Sequence, residues 1–169
     1  MDPAAATART EVLEGTVAFE GHRTTRTVEQ GFGSLAETGQ APLPPLPLLP
    51  PPKLTERPPV VARWPVQLGF FPLRGAVAYR AQIVPADSFK ALLLDTVLPA
   101  LKSDDREAVE ALTLMLNPIG PELPDGDYIA RIRGIDDRGL EGRDAQYRFR
   151  FHASPGQDSE EDENGSIYK

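Results

Sequence analysis

Acidic residues are concentrated between residues 123 and 142, and their oxygens are the ligands that a calcium ion prefers. The stretch LPDGDYIARIRGIDDRGLEG contains Asp125, Asp127, Asp136, Asp137 and Glu141. Their spacing differs from that of an EF-hand loop, whereas Pro-Asp-Gly and Asp-Asp-Arg-Gly have the residues that favour tight turns. We therefore interpret these acids as turn residues and predict no metal site.

Nucleophilic or metal-assisted catalysis would require residue types that are scarce in this chain. The two histidines, His22 and His152, lie far apart in strand-like sequence, and there is no cysteine. Cysteine-ligated zinc, iron–sulfur clusters and a thiolate nucleophile are thus excluded. The glycine-rich stretch from Gly31 to Gly39 does not open a helix after a strand, so it does not match a phosphate-binding loop. The sequence predicts a protein that is not an enzyme, with no catalytic residue and no cofactor.

Arginines alternate with apolar residues in three predicted strands, which would place them on one face of a sheet. Their side chains would then stand side by side across neighbouring strands. One interpretation is a solvated face with cross-strand ion pairs. The other is a surface for an anionic partner, such as a glycan, a lipid headgroup or an acidic protein. This candidate interaction surface consists of Arg80, Arg131, Arg133, Arg148 and Arg150.

The composition fits a globular protein of one or two small domains and argues against a nucleic-acid binder. The 169 residues are 40% hydrophobic and 25% charged, with a net charge of −7. The tail from Asp158 to Lys169 has five acids and one lysine, a net charge of −4, which leaves −3 for the rest. No apolar run approaches the roughly 20 residues of a transmembrane helix, and the first residues lack the pattern of a signal peptide.

Composition also predicts the domain organisation. Residues 1–7 and the acidic tail at 155–169 have too few apolar residues to order themselves and should be disordered. Residues 8–40 predict short strands broken by glycine turns, which are too few to bury much surface alone. We expect this hairpin remnant to be completed by sequence before Met1. Residues 41–59 predict a polyproline linker whose leucines lie against a domain. The alternative is that this segment is itself a ligand for an SH3 or WW domain.

Residues 60–154 predict one mainly β domain. The segments AVAYRAQIV, DYIARIRGI and AQYRFRFHA alternate apolar and polar residues, which is typical of antiparallel sheets packed as a sandwich. Asp104 followed by Glu107 resembles the capping box at the start of a helix. We therefore expect a helical insertion near residues 104–116, while LTLML at residues 112–116 has the alternative of being a strand.

Two long stretches resemble the C-terminal fibronectin type III-like domain of FecR-domain proteins: WPVQLGFFPLRGAVAYRAQIVPADSFKALLLD and LPDGDYIARIRGIDDRGLEGRDAQYRFRFHA. Upstream, RTEVLEGTVAFEG and RTVEQGFGSLAETGQAPLPPLPLLPPPKL resemble the end of the FecR domain and its proline-rich exit. The resemblance covers about residues 8–153 and implies an immunoglobulin- or fibronectin type III-like β-sandwich. The segment of residues 98–120 is longer than the connection between strands in this pattern. Leu123 to Tyr128 resembles the tyrosine corner of such sandwiches.

The resemblance implies a non-catalytic protein of the bacterial cell envelope, in the periplasm, that contacts an envelope protein or peptidoglycan. Sigma-factor regulation is not inferred, because the chain shows neither the cytoplasmic segment nor the transmembrane helix of proteins with that role. The alternative is a carbohydrate-binding accessory module of a glycan-processing system. Exposure of Trp64, Phe70, Phe71 and Tyr79 would favour this alternative, and their burial would weigh against it.

Overall fold

The computed structural model describes residues 6–56, 58–88, 92–100, 112–116 and 124–153. Within these ranges the protein is mainly β and has no helix. Most of the predicted disordered N-terminus, the predicted disordered tail and the first eight residues of the predicted helical insertion lie outside the described residues.

Five strands form an N-terminal module: β1 (Thr7–Glu11), β2 (Thr16–Gly21), β3 (Thr24–Glu29), β4 (Phe32–Glu37) and β5 (Leu46–Pro47). β1, β4 and β5 form one antiparallel sheet, and β2 and β3 form a separate hairpin. Gly31 makes the β3–β4 turn with a φ of 84°, a region that favours glycine. The β2–β3 turn uses His22 and Arg23, both with positive φ. His22 is therefore a turn residue, and the expectation that it lies in a strand was wrong.

The proline-rich segment lies against both modules. Its strand β5 pairs with β4 at the edge of the sheet, where the missing N–H of Pro47 interrupts no central hydrogen bonds. Leu49 O accepts a hydrogen bond of 3.0 Å from Arg143 N in the second module. Further along, Thr55 N donates to Gly69 O at 3.0 Å. The segment is thus bonded to its neighbours at several points.

Seven strands form the second module: β6 (Val60–Val61), β7 (Val66–Phe70), β8 (Ala78–Pro85), β9 (Leu94–Pro99), β10 (Leu112–Leu116), β11 (Gly126–Ile135) and β12 (Ala145–Phe151). Five of them form a sheet in the order β6-β12-β11-β8-β9, and β7 pairs with β10 in a second sheet. Both sheets turn alternate apolar side chains toward one shared core. Its buried members include Val66, Leu68, Phe70, Tyr79, Ala81, Ile83, Leu116, Tyr128, Ala130, Ile132, Phe149 and Phe151.

The predicted helix is wrong over residues 112–116, which form β10 and pair antiparallel with β7. Leu116 lies opposite Val66 and is 1% exposed, whereas the adjacent Met115 is 56% exposed. This alternation belongs to a strand with one buried face. Pairing with β7 therefore decides the structure of an apolar run whose local sequence also fits a helix.

Candidate functional site

The strand register brings the predicted arginines onto one face of the five-stranded sheet: Arg80 on β8, Arg131 and Arg133 on β11, and Arg148 and Arg150 on β12. Residues directly opposite each other on paired strands share a face. Arg80 lies opposite Arg133, and Arg150 lies opposite Asp127. The prediction of a shared face is therefore confirmed, but acids lie among the arginines.

Arg80 and Arg133 form an inner network with three acids. Glu141 bridges them, with Oε1 2.7 Å from Arg80 Nη1 and Oε2 3.0 Å from Arg133 Nη1. Asp95 Oδ2 lies 2.5 Å from Arg80 Nη2, and Asp144 Oδ1 lies 2.8 Å from Arg133 Nε. Two like charges opposite each other would destabilise the sheet. The bridging carboxylate removes that repulsion, so this network stabilises the register.

Burial and charge act in opposite directions on the acids of the inner network. Hydrogen bonds from Arg80 lower the pKa of Asp95. Burial raises the pKa of Asp144, and the positive charge of Arg133 offsets only part of that effect. Asp144 Oδ1 is buried and lies in an ion pair without hydrogen-bond geometry. The Arg133–Asp144 side of the inner network is therefore largely buried, whereas the Arg80–Asp95 pair is exposed and its charges neutralise each other.

Arg148 and Arg150 form what we call the outer corner, and both are exposed. Arg150 holds Asp127 through Nε at 2.8 Å and Nη2 at 3.0 Å, with the two side chains 65% and 57% exposed. Exposed ion pairs of this kind contribute little to stability. An external carboxylate could thus take the place of Asp127 at low cost.

A groove of about 430 Å³ lies beside the outer corner. Its lining residues are Pro59, Val60, Ala86, Asp127, Tyr128, Arg148, Phe149 and Arg150. A second groove of about 490 Å³ shares Ala86, Asp127 and Tyr128 with it and continues toward Asp87 and Pro124. The outer corner therefore combines accessible positive charge with a concave surface.

Two further acids of residues 123–142, Asp125 and Asp136, have structural partners. Asp136 Oδ1 accepts hydrogen bonds from Arg138 N at 3.0 Å and from Leu140 N at 2.8 Å, which stabilises the turn between β11 and β12. Asp125 contacts His152 Nδ1. Across the described ranges, no three His, Cys, Asp or Glu residues form a group that could hold a metal ion. The described acids thus act as turn and ion-pair residues.

A junction between the two modules adjoins the inner network and was not predicted. Glu11 Oε1 accepts a hydrogen bond of 3.2 Å from Glu141 N, and Arg9 Nε donates to Arg138 O at 3.2 Å. Burial raises the pKa of Glu11, and the nearby charge of Glu141 acts in the same direction. One acid, Glu141, therefore links β1, β8 and β11.

Apolar packing completes this junction. Leu35 from β4, Leu48 from the proline-rich segment and Leu140 from the β11–β12 turn form one buried cluster. A Cβ at Gly142 would lie 2.7 Å from Leu49 O, so the close approach requires glycine. The sequence feature that could have predicted this contact is Gly139-Leu140-Glu141-Gly142, because it places a large apolar residue in a turn.

The aromatic residues that could have favoured sugar binding are mostly internal. Phe70 and Tyr79 are buried, with ring centroids 4.7 Å apart. Trp64 is half-buried and stacks on Phe151 at 4.9 Å. Phe71 is half-buried, with a lysine near its ring. Phe70 and Tyr79 are therefore unavailable for stacking on a sugar.

No protein-family model matches this chain, and no curated protein matches it significantly. Among the described residues, no helix has the length and apolar character needed to cross a membrane.

Proposed function

We propose that this chain is a non-catalytic, FecR-like protein of the bacterial cell envelope, in the periplasm, that binds peptidoglycan or an envelope protein through the outer corner. The motif resemblance over residues 8–153 supports the family and the compartment. The exposed Arg148 and Arg150, which lie next to a groove, support the binding role.

The second module is proposed to be an immunoglobulin- or fibronectin type III-like β-sandwich. Two sheets that share one core support this assignment. Tyr128 adds a specific feature, because its buried ring stands at the start of β11 and its hydroxyl donates to Pro124 O at 2.7 Å. A tyrosine that bonds back to the backbone a few residues upstream is the tyrosine corner of such sandwiches.

The difference between the two halves of the arginine face is the observation that carries the binding role. Arg133 is 17% exposed and already has two acidic partners, Glu141 and Asp144. Arg150 is 65% exposed and has one exposed partner. Arginine binds carboxylates through two parallel hydrogen bonds. The carboxylates of peptidoglycan stem peptides, or those of an acidic protein surface, are therefore suitable ligands for the outer corner.

Pelleting with purified peptidoglycan tests the proposal. The protein should pellet with peptidoglycan, less so at high salt, because exposed charge pairs are screened. The variant carrying Arg148→Glu and Arg150→Glu should remain in the supernatant. Arg74→Glu changes an exposed arginine in the β7–β8 turn and serves as the matched control.

A photo-crosslinking amino acid in place of Val60, which is exposed and lines the groove, distinguishes a protein partner from peptidoglycan when the protein is added to an envelope extract. Crosslinks to one protein, lost in Arg150→Glu and kept in Arg74→Glu, would identify an envelope protein as the ligand. Equal binding by the outer-corner variant and the wild type in both assays would refute the proposed site.

A further inference from the structure

β2 presents an open edge in the N-terminal module. It pairs with β3 on one side and has no strand on its other side within the described part of the chain. Its six residues, Thr16–Gly21, are largely exposed on both faces, and Val17 is 41% exposed. A two-stranded hairpin is only marginally stable by itself. This edge is therefore suited to accept another strand.

Several other edges in the described part of the chain carry features that discourage strand addition. β5 and β6 have two residues each, and β5 includes Pro47. β9 carries Asp95 and ends at Pro99. β1 is engaged by the β11–β12 turn through Arg9 and Glu11. β2 has neither proline nor lysine, and its one charged residue is Glu20. Natural edge strands usually carry such protective residues.

The sequence of β2 is complementary to itself in the antiparallel register centred on Ala18. If two copies pair with Ala18 opposite Ala18, Val17 of each copy lies opposite Phe19 of the other. Thr16 then lies opposite Glu20, so no like charges face each other. A shift that centres the pairing on Val17 would instead place Glu14 opposite Glu20. Charge therefore favours the register centred on Ala18 over the one centred on Val17.

We propose that the chain forms a two-fold symmetric dimer through antiparallel pairing of β2 with β2 of a second copy. The pairing would cover Val17 and join two hairpins into one four-stranded sheet. A symmetric dimer requires such a self-complementary surface. The dimer goes beyond the proposed function and uses a different surface, since the outer corner lies on β12.

Cysteine crosslinking tests the register directly, because the wild-type chain contains no cysteine. In the proposed dimer, Ala18→Cys places two thiols opposite each other, at a Cβ separation of about 4.5–5.5 Å. That spacing comes close to what a disulfide needs. Ala18→Cys should therefore form a covalent dimer under mild oxidation. Thr27→Cys is the control, because Thr27 is exposed on the same face but one strand away from the edge.

A charge exchange measured by sedimentation equilibrium provides an independent test. Thr16→Glu should weaken dimerisation roughly 3- to 10-fold, because it creates two like-charged pairs with Glu20. Adding Glu20→Lys to Thr16→Glu should restore the dimer, and Thr16→Lys should strengthen it. Arg148→Glu should leave dimerisation unchanged, which separates this interface from the proposed binding site.

A wild-type protein that stays monomeric up to hundreds of micromolar would overturn the proposal. Equal crosslinking by the Ala18→Cys and Thr27→Cys variants would also overturn it. The proposal would also be overturned if Thr16→Glu and Thr16→Lys changed the dimer dissociation constant in the same direction.

Discussion

Four of the five arginines on the arginine face fall into two halves that differ in burial and in the number of acidic partners. In the inner half, Arg80 and Arg133 share Glu141 and each pairs with a further aspartate, with 32% and 17% of their side chains exposed. In the outer half, Arg150 has one exposed partner. Burial and the number of partners, rather than residue type, therefore separate a structural arginine from one that can bind a ligand.

The junction beside the inner half should show the largest effect on stability. Leu140 is 1% exposed within a cluster of three buried leucines. Leu140→Ala should lower the free energy of unfolding by about 2–4 kcal/mol through lost packing and a new cavity. Leu43, which is 43% exposed, provides the control, and Leu43→Ala should cost less than about 1 kcal/mol. Equal decreases in the free energy of unfolding for the two variants, measured by urea denaturation, would show that the junction does not stabilise the fold.

Removing an inner arginine should have the next largest effect. Arg133→Ala leaves Glu141 and Asp144 partly buried without one of their cationic partners. The free energy of unfolding should fall by about 1–3 kcal/mol. Arg150→Ala, in the outer corner, should leave it close to the wild-type value because its ion pair is exposed. Similar losses for the two variants would remove the distinction between the halves.

Glu11 should contribute a smaller, pH-dependent effect. Its pKa is raised in the folded state, so folding favours the protonated form. Its contribution to stability is full at low pH and is lost as the pH rises through the raised pKa. Glu11→Gln keeps the acceptor for Glu141 N without the charge. Its free energy of unfolding relative to wild type should therefore rise between pH 4 and pH 7. A difference independent of pH would contradict this account.

Alternation of residue types was enough to predict the strands that carry the arginines. AQYRFRFHA has a buried and an exposed face, as expected from a period of two. In DYIARIRGI the arginine side is only partly open, because Ile129 is buried and Arg131 and Arg133 are half-buried. Alternation could not decide between helix and strand for residues 112–116, because a five-residue apolar run fits both a helix and a buried strand. Only its pairing with β7 resolves the difference.

The partners of the arginines could not be predicted, because they depend on contacts between distant parts of the chain. Arg80 and Glu141 are 61 positions apart and meet only once β8 and β11 are paired. Glu141 was interpreted as a turn residue, which describes its backbone but not its carboxylate. Glu11 gave no signal, because its burial depends on the docking of one module on the other.

The most direct test of the central claim measures binding and stability on the same protein. The variant with Arg148→Gln and Arg150→Gln, which places no like charge opposite Asp127, should unfold at the wild-type urea concentration and pellet with peptidoglycan, or crosslink to its envelope partner, at least about tenfold more weakly. Wild-type binding by this variant, with its fold intact, would contradict the account.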